Sequence, residues 1–542
     1  MHSKCVYYFC LIIMLLVFSN QLIAQTWAKT YGGDVDFSRD IIAGYDETYT
    51  VAGWTGSYDG DFWIMNIDKF GNILWQKSYG GNDFESVYSI QKTLDGGYIV
   101  AGDTTSFGAG HYSFWVIKID KNGEIIWQNS YGGDQNDEPR SIVVTKDNSY
   151  VIAGGTELYG EGYKIWLIKI DKNGEIVWQK SYNVNVNYYT DNAQDIILTS
   201  DGGYVIAGYT FRGPGDSTVW ISRLDSDGNI LWEKSYALGK GEWGKSIIET
   251  NDGGFLVAGY TGLKKTGGID IWLLKLNASG DIIWQKAYGG DDDEEVYSIV
   301  ATPDGGYIIG GNTKSFGAGA WDILLFKIDN SGNIIWQKTF GSEYLDALVS
   351  MVPAVDGGYI ISGFNDWKYL LDFDVSILKI TEDGNIEGAC SYFHEAKLKV
   401  INTNATVTKT SAKVRNTNYK RYPTNGKARE ISAVVDTICS SPIIDISCRP
   451  ATLPFLLRMS KCSIKPNYGY SATIYLSCAG LPLGAMCKFS PDVIVPIGNL
   501  SLETTLTVEI TNVIKEGIYP FQIVASNGAV SSTFNMNLKI NK

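Results

Sequence analysis

The sequence predicts an all-β protein in which a seven-bladed β-propeller precedes a β-sandwich. Two observations support this. First, an apolar run ending in a small residue and glycine occurs seven times, as in TYTVAG and GYIVAG, with the final glycines 49 to 54 residues apart. A period near 50 residues built only of strands and turns is typical of propeller blades. Second, the last hundred residues contain alternating apolar runs separated by turn-rich stretches, which indicates a sandwich.

Composition narrows the function. The 542 residues include 45 Lys and Arg against 59 Asp and Glu, a formal net charge of −14. An acidic chain is a poor partner for nucleic-acid phosphates, so we expect no nucleic-acid binding. Only three His are present, too few for a His-rich metal site. The composition therefore favours a binding protein over an enzyme.

Residues 1–24 are predicted to be a signal peptide. Val6–Phe18 forms a 13-residue apolar core, and Leu22-Ile23-Ala24 provides a cleavage site before Gln25. Thirteen residues fall short of the ~20 needed to span a bilayer, and no second long apolar run follows. We expect a secreted or cell-surface protein with no membrane span in the mature chain.

Each repeat divides into four strands, A to D. In the second unit they are Ser86–Thr93, Tyr98–Gly102, Phe114–Asp120 and Glu124–Tyr131. Asp-Gly and Asn-Gly turns between A and B and between C and D are strong hairpin signals, because glycine accepts the positive φ that such turns need.

Strand D carries a tryptophan in six units, at Trp75, Trp127, Trp178, Trp232, Trp284 and Trp336. Because its register follows the repeat, this tryptophan is predicted to pack between blades; a stacking surface for sugars is the alternative.

The seventh unit lacks strand D and its tryptophan. The missing strand has a match at the other end of the chain, where Thr26–Gly33 (TWAKTYGG) corresponds to WQKSYGG at Trp75–Gly81. We therefore predict a propeller over residues 25–390, with the N-terminal strand 26–33 completing blade seven. Closure of this kind removes the sheet edges.

The B–C and D–A loops are the longer ones, so the face that they share is expected to bind ligands. Carboxylates recur there, and oxygen ligands of this type can hold Ca²⁺. A solvated acidic rim is the simpler interpretation. The Ca²⁺ candidates are Asp134, Asp137, Glu138, Asp291, Asp293 and Glu295.

Six cysteines follow the leader, and an even number in an exported chain favours disulfides. Six cysteines permit 15 connectivities. We predict pairing of nearest neighbours: Cys390–Cys439, Cys448–Cys462 and Cys478–Cys487.

Residues 391–440 carry nine Lys and Arg against three acids and alternate Thr and Asn with apolar residues. We predict a basic, extended connector; docking on the acidic propeller is an alternative. Residues 441–542 form the predicted sandwich.

Two stretches resemble known families. The unit DGGYIVAG…GNIxWQKSYGG resembles secreted bacterial and archaeal tandem-repeat propellers, and its C–D hairpin is similar to quinoprotein-like repeats. The Asp120…Gly123…Trp127 turn is one residue shorter than the quinoprotein docking motif, so we expect the fold but no quinone cofactor. Leu476–Pro491 (LSCAGLPLGAMCKFSP) resembles bacterial immunoglobulin-like domains, which implies spacing, adhesion or partner binding.

No catalytic residues are identified: the sequence lacks G-x-S-x-G, P-loop and H-E-x-x-H motifs. The expected function is non-catalytic binding or adhesion, through the loop-rich propeller face, to an extracellular glycan or protein. The alternatives are a hydrolase or lyase acting on extracellular polysaccharide and a structural subunit of a surface layer or filament.

Overall fold

The computed structural model describes residues 26–540 except 33–35, 57–59, 159–161, 185–189, 214–215, 240, 263–267, 367–372, 387–392, 404, 410–412, 417–419, 425–426, 431–433, 441–443, 450–451, 454–458, 467–472, 483–484, 496–501, 511–514 and 527–530. The predicted leader, residues 1–24, lies outside this range. The described residues are all-β, as predicted, and contain no helix that is long and apolar enough to cross a membrane.

The first 28 strands form the seven blades of the propeller. They are β1 (Trp27–Gly32), β2 (Asp36–Ala43), β3 (Tyr49–Thr55), β4 (Asp61–Ile67), β5 (Ile73–Gly80), β6 (Glu85–Lys92), β7 (Tyr98–Thr104), β8 (Ser113–Ile119), β9 (Ile125–Gly132), β10 (Asp137–Val144), β11 (Tyr150–Leu158), β12 (Gly162–Ile170), β13 (Ile176–Asn183), β14 (Asp191–Leu198), β15 (Tyr204–Gly213), β16 (Asp216–Leu224), β17 (Ile230–Ala237), β18 (Trp243–Glu249), β19 (Phe255–Thr261), β20 (Asp270–Leu276), β21 (Ile282–Gly289), β22 (Glu294–Ala301), β23 (Tyr307–Thr313), β24 (Asp322–Ile328), β25 (Ile334–Phe340), β26 (Asp346–Pro353), β27 (Tyr359–Asp366) and β28 (Phe373–Ile380).

Four consecutive strands form each of blades one to six, beginning at β2, β6, β10, β14, β18 and β22. These first strands, and β26 of blade seven, contact one another around the ring, so they are the innermost strands. Below they are called the A strands.

Blade seven is completed by the N-terminus. Its strand order is β26-β27-β28-β1, and β1 pairs antiparallel with β28 from Trp27↔Lys379 to Tyr31↔Val375. The first and last parts of the propeller thus share one sheet, and the ring is closed by backbone hydrogen bonds as well as by packing.

The segment predicted as a connector adds a fifth, outermost strand to every blade. We call it the belt. Its strands are β29 (Phe393–Glu395), β30 (Lys399–Asn402), β31 (Thr406–Lys409), β32 (Lys413–Asn416), β33 (Lys420–Pro423), β34 (Lys427–Glu430) and β35 (Val434–Ser440). They pair in turn with β25, β21, β17, β13, β9, β5 and β1, so the chain runs back around the ring from blade six to blade seven.

The belt is held by side chains as well as by its backbone. In blade five, Thr403 Oγ1 donates to Gln285 Oε1 (3.0 Å) and accepts from Trp272 Nε1 (3.1 Å). In blade two, Thr424 makes the corresponding bonds with Gln128 (3.0 Å) and Trp115 (3.0 Å). The basic residues also pair with propeller acids, Arg421 with Glu175 (2.8 Å) and Lys399 with Asp291. A free linker would make none of these contacts.

The tryptophans of strand D pack between blades, as predicted. Trp75 Nε1 donates to the Lys121 carbonyl (3.1 Å), in the C–D turn of the next blade. In the same turn Gly123 has φ +80°, and a Cβ there would lie 2.8 Å from the Trp75 ring. Glycine is therefore required at position 123 for two reasons: the backbone has a positive φ, and the Trp75 ring leaves no room for a Cβ.

The remaining strands form two sheets that enclose a separate apolar core. The four-stranded sheet has the order β36 (Ile444–Arg449), β38 (Met459–Pro466), β42 (Leu502–Ile510), β40 (Ala485–Ser490). The five-stranded sheet has the order β37 (Thr452–Leu453), β44 (Ser531–Ile540), β43 (Gly517–Ser526), β39 (Ile474–Ala479), β41 (Val493–Ile494). The immunoglobulin-like assignment of this unit stays a prediction.

Two predicted disulfides are present, Cys448–Cys462 and Cys478–Cys487. The first joins neighbouring residues on β36 and β38, and both pairs contribute to the core. The third predicted pair, Cys390–Cys439, lies outside the described residues, because Cys390 is not described and only the backbone of Cys439 is.

Candidate functional site

Buried acids stand at the start of the A strands, beside the loops proposed for ligand binding. They are Asp36, Glu85, Asp137, Asp191, Glu242, Glu294 and Asp346. Where described, their carboxylates accept hydrogen bonds from the preceding loop: Gly133 N donates to Asp137 (2.8 Å) and Gly290 N to Glu294 (2.6 Å). These acids fix the D–A loops. Burial raises the pKa of Asp137 to about 7.

The six Ca²⁺ candidates fall into two separate groups, on blades three and six. Asp134 is exposed, and Asp137 holds its own loop. Glu138 accepts from Arg140 Nη2 (2.6 Å). Asp291 pairs with Lys399 of the belt, Asp293 pairs with Lys314 (2.7 Å), and Glu295 accepts from Tyr297 Oη (2.7 Å). Within the described part of the chain, no three His, Cys, Asp or Glu side chains are grouped as metal ligands. Ca²⁺ binding stays a prediction that these contacts do not favour.

Each A strand contains a β-bulge at the same position of the repeat, where the pairing register with strand B shifts by one residue. A bulge redirects one side chain out of the regular alternation. We call the bulged residues the axial ring: Arg39, Tyr88, Arg140, Gln194, Lys245, Tyr297 and Val349.

The axial ring lines a cavity of about 300 Å³ at the centre of the propeller, to which all seven A strands contribute. We call it the axial chamber. The residue after each bulge also lines it and is polar in every blade: Asp40, Ser89, Ser141, Asp195, Ser246, Ser298 and Ser350. The chamber is thus a polar site inside an otherwise apolar ring of blades.

Three cations and two tyrosines line the chamber. The Tyr88 ring lies between two guanidinium groups, 4.8 Å from that of Arg140 and 5.8 Å from that of Arg39. Lys245 Nζ donates to Gln194 Oε1 (3.3 Å) and lies 6.0 Å from the Tyr297 ring. Each of the three cationic side chains therefore lies against a tyrosine ring, and these cation–π contacts hold the cations in place.

The environment of Lys245 is electropositive. Burial lowers the pKa of Lys245 to about 8, and the Arg140 guanidinium lowers it too, while Glu295 acts in the opposite direction. Arg39 contributes a further lowering. Two like charges near a buried ammonium favour its neutral form unless an anion is present.

The acids of the chamber are already engaged. Asp40 accepts hydrogen bonds from Ser350 Oγ (2.9 Å), Ser89 Oγ (3.2 Å) and Ile90 N (3.0 Å). Asp195 accepts from Ser141 Oγ and Ile247 N, both at 3.0 Å. Burial raises the pKa of each carboxyl to about 6 despite these bonds. Their role is to join neighbouring A strands.

An aromatic cluster lies beside the chamber, at the loop end of β18. The Trp243 ring stacks on Tyr209 (4.0 Å between centroids) and on Tyr260 (5.6 Å). Lys245 follows two residues later, with Nζ 5.4 Å from the Trp243 ring. Aromatic faces therefore lead from the loop side of the propeller to the lysine of the axial ring.

Neither the axial ring nor the aromatic cluster was predicted from the sequence. The sequence feature that could have indicated the axial ring is one variable position within a nearly uniform repeat. Three residues after the A-strand acid, successive blades have Arg, Tyr, Arg, Gln, Lys, Tyr and Val. The sequence instead indicates loop carboxylates as Ca²⁺ candidates, beside the simpler interpretation of a solvated rim, and five of the six make contacts within the protein.

Comparison with known proteins agrees with this architecture. Residues 112–377 match the family model described as outer membrane protein assembly factor BamB. The matched range runs from strand C of blade two to strand C of blade seven. The chain is a tandem-repeat β-propeller, and just under half of it is similar to this family.

Two individual proteins show weaker similarity to this chain. The regulatory protein FlaEY of Caulobacter vibrioides is 25% identical over 216 residues, which cover 35% of this chain and 22% of FlaEY. The propeller chain thus spans less than a quarter of that relative's length. A crystal structure of a protein of unknown function from Dyadobacter fermentans is 12% identical, covering 66% of this chain and 98% of that one with a TM-score of 0.38.

Proposed function

We propose that the protein is an exported, non-catalytic binding protein. In this proposal the loop-rich face of the propeller admits an extracellular ligand, the axial chamber holds part of it, and the C-terminal sandwich spaces or anchors the propeller. The leader at residues 1–24 would direct export, and the disulfides Cys448–Cys462 and Cys478–Cys487 fit an oxidising compartment.

The axial ring is the observation that carries this proposal. The blades repeat one another wherever packing sets the residue, yet the ring places seven side chains of five different kinds around one cavity. A ring needed only for packing would have no reason to differ in charge from blade to blade. Convergent polar side chains in a preformed cavity are the usual feature of a ligand site.

Binding is favoured over catalysis by the state of the carboxylates. Asp40 and Asp195 accept hydrogen bonds from hydroxyl and backbone N–H groups, and Glu138 is paired with Arg140. A glycosidase needs one carboxyl to give a proton and a second one free to act as base or nucleophile. The engaged acids of the chamber are poorly placed for either role.

The test is a glycan array probed with the intact mature protein, followed by incubation of each bound polysaccharide with the protein. We expect binding to a subset of glycans with no new reducing ends and no unsaturated products. Product release would overturn the proposal in favour of a hydrolase or lyase. An empty array together with ordered self-assembly in the electron microscope would overturn it in favour of a structural subunit.

A further inference from the structure

Three of the seven blades direct a cation into the axial chamber. Arg39, Arg140 and Lys245 come from blades one, three and five, so they approach the axis from different directions. This convergence is unexpected in a chain with a net charge of −14. We infer that the axial chamber is a binding site for a small oxyanion, a molecule bearing a carboxylate, sulfate or phosphate group. The inference deepens the proposed function, on which it rests, by naming the ligand's chemistry.

The donors of these cations are incompletely used. Arg39 is exposed in the cavity and forms no ion pair with a described residue. Arg140 pairs through Nη2 with Glu138, but its Nε is buried and has no partner among the described residues. Lys245 Nζ bonds only the neutral Gln194 amide among the described residues. A guanidinium presents donors in a fixed fork that fits two oxygens of one anion.

The acceptors of the chamber, in contrast, are occupied from within. The Asp40 carboxylate accepts from two serine hydroxyls and the Ile90 amide, and the Asp195 carboxylate accepts from a serine hydroxyl and a backbone amide. A ligand therefore meets unused donors from the cations but acceptors that already have partners. This asymmetry selects for a ligand rich in oxygen acceptors.

The volume of the chamber limits the size of the ligand. About 300 Å³ is near the lower limit for small-molecule sites, and the seven A strands surround the cavity about the propeller axis. A sugar acid or a sugar ester fits such a space, whereas a folded protein surface does not. The Ser246 hydroxyl lines the chamber and can bond a sugar hydroxyl, and Ser298 Oγ, which donates to the Met351 carbonyl (3.4 Å), can accept from one.

Titration of the chamber gives the inference a second signature. The groups that face Lys245 are Arg39 on β2, Arg140 on β10, Glu295 and Tyr297 on β22, and Tyr260 on β19. Its pKa of about 8 means that the ammonium is lost as pH rises through 8 to 9. Asp40 and Asp195 ionise near pH 6 and Asp103, beside Tyr88, near pH 7. Every one of these steps makes the chamber less positive, so anion affinity falls as pH rises from 5 to 9.5.

The experiment is isothermal titration calorimetry of the intact protein with D-galacturonate, D-galactose 6-sulfate, inorganic sulfate and neutral D-galactose. We expect a single site for at least one of the three anions, with galactose at least tenfold weaker. Comparing galacturonate with galactose 6-sulfate distinguishes a carboxylate ligand from a sulfate ester. Comparing galactose 6-sulfate with inorganic sulfate distinguishes the ester from the free ion.

Variants locate the site. Arg39→Gln and Lys245→Gln each remove one chamber cation and should weaken the anion by about tenfold or more. Lys121→Gln removes the same charge from an exposed C–D turn and should have no effect. Lys245→Arg should retain binding and abolish the loss of affinity between pH 8 and 9.5, which a merely structural lysine would not do. Circular dichroism and melting curves establish that each variant is folded.

Equal affinity for galactose and galacturonate, or anion binding unchanged in the folded Arg39→Gln and Lys245→Gln variants, would overturn the inference. Glycan-array binding in that case would leave the proposed function standing. Anion binding in the chamber together with an empty glycan array would support the inferred anion site. It would contradict the proposal that the loop face binds a glycan.

Discussion

Trp27 lies in the strand that completes blade seven, and it should contribute more to the stability of the propeller than the equivalent tryptophan of any other blade. Truncating Trp27 is therefore the sharpest test of ring closure. Trp27 is 1% exposed, whereas Trp75, at the same position of blade one, is only partly buried. The reason lies in the belt: β35 pairs along the whole of β1, but β34 covers only the second half of β5. Trp27 Nε1 also donates to the Lys69 carbonyl (3.0 Å), which joins blade seven to blade one.

The expected loss follows from this burial. A buried tryptophan removes about 150–250 Å² from water, and truncation of such a side chain to alanine costs about 3–5 kcal/mol. For Trp75→Ala we expect roughly half of that cost, because the ring keeps part of its contact with water. At about 2.1 cal/mol/K per residue, a loss of 4 kcal/mol lowers the Tm of a propeller of this size by about 5 °C.

Differential scanning calorimetry of the parent, Trp27→Ala and Trp75→Ala at one scan rate measures both shifts. The transition of the C-terminal sandwich serves as an internal control, since neither residue belongs to its core. A Trp27→Ala propeller that melts within 1 °C of the parent, while Trp75→Ala melts lower, would refute the idea that this strand closes the ring.

Three further predictions concern the belt, the sandwich and pH. Gln285→Ala removes the acceptor of Thr403 Oγ1 and Ala405 N, so trypsin should cleave the belt several times faster than in the parent. Replacing Cys448 and Cys462 with serine should cost the sandwich about 3 kcal/mol and leave the propeller transition unchanged, as two calorimetric peaks would show. Burial raises the pKa of Asp103 to about 7, above its unfolded value, so its contribution to stability is lost as pH rises through 7. The Tm should therefore fall by several degrees between pH 5 and 8, and by less in Asp103→Asn.

Much of the propeller was predictable because each blade is specified locally. Asp-Gly and Asn-Gly turns fix the hairpins, and the tryptophan that docks on Gly123 recurs with the repeat, so the number of blades could be counted. The match between Thr26–Gly33 and strand D was likewise visible as sequence.

The belt was not predictable in the same way. Its strands are mostly four residues long and charged, as edge strands often are, and their partners lie up to several hundred residues away. The signal that exists is a seven-residue period of threonine at Thr403, Thr410, Thr417 and Thr424, a spacing far shorter than the blade repeat. Its meaning depends on Gln128 and Gln285, which present their amides only once the blades have formed.

The axial ring was hidden for a different reason. The inward face of a strand is normally predicted from the alternation of apolar and polar residues, and a bulge interrupts that alternation. Arg39 and Lys245 therefore have the local sequence pattern of solvent-facing residues. Only the closed ring brings them to one cavity. The acidic loops drew attention because charge clusters are visible in sequence, whereas the hydrogen bond from Gly133 N that occupies Asp137 is not.

Equilibrium dialysis of the intact protein against a labelled form of the sugar anion that binds in calorimetry, D-galacturonate or D-galactose 6-sulfate, with chromatography of the recovered sugar, tests the central claim most directly. Binding without turnover at the axial chamber predicts close to one bound molecule per chain at saturation, recovered unchanged and released when Lys245 is replaced with glutamine. Recovery of a converted sugar, or retention that is the same in the folded Lys245→Gln protein, would contradict it.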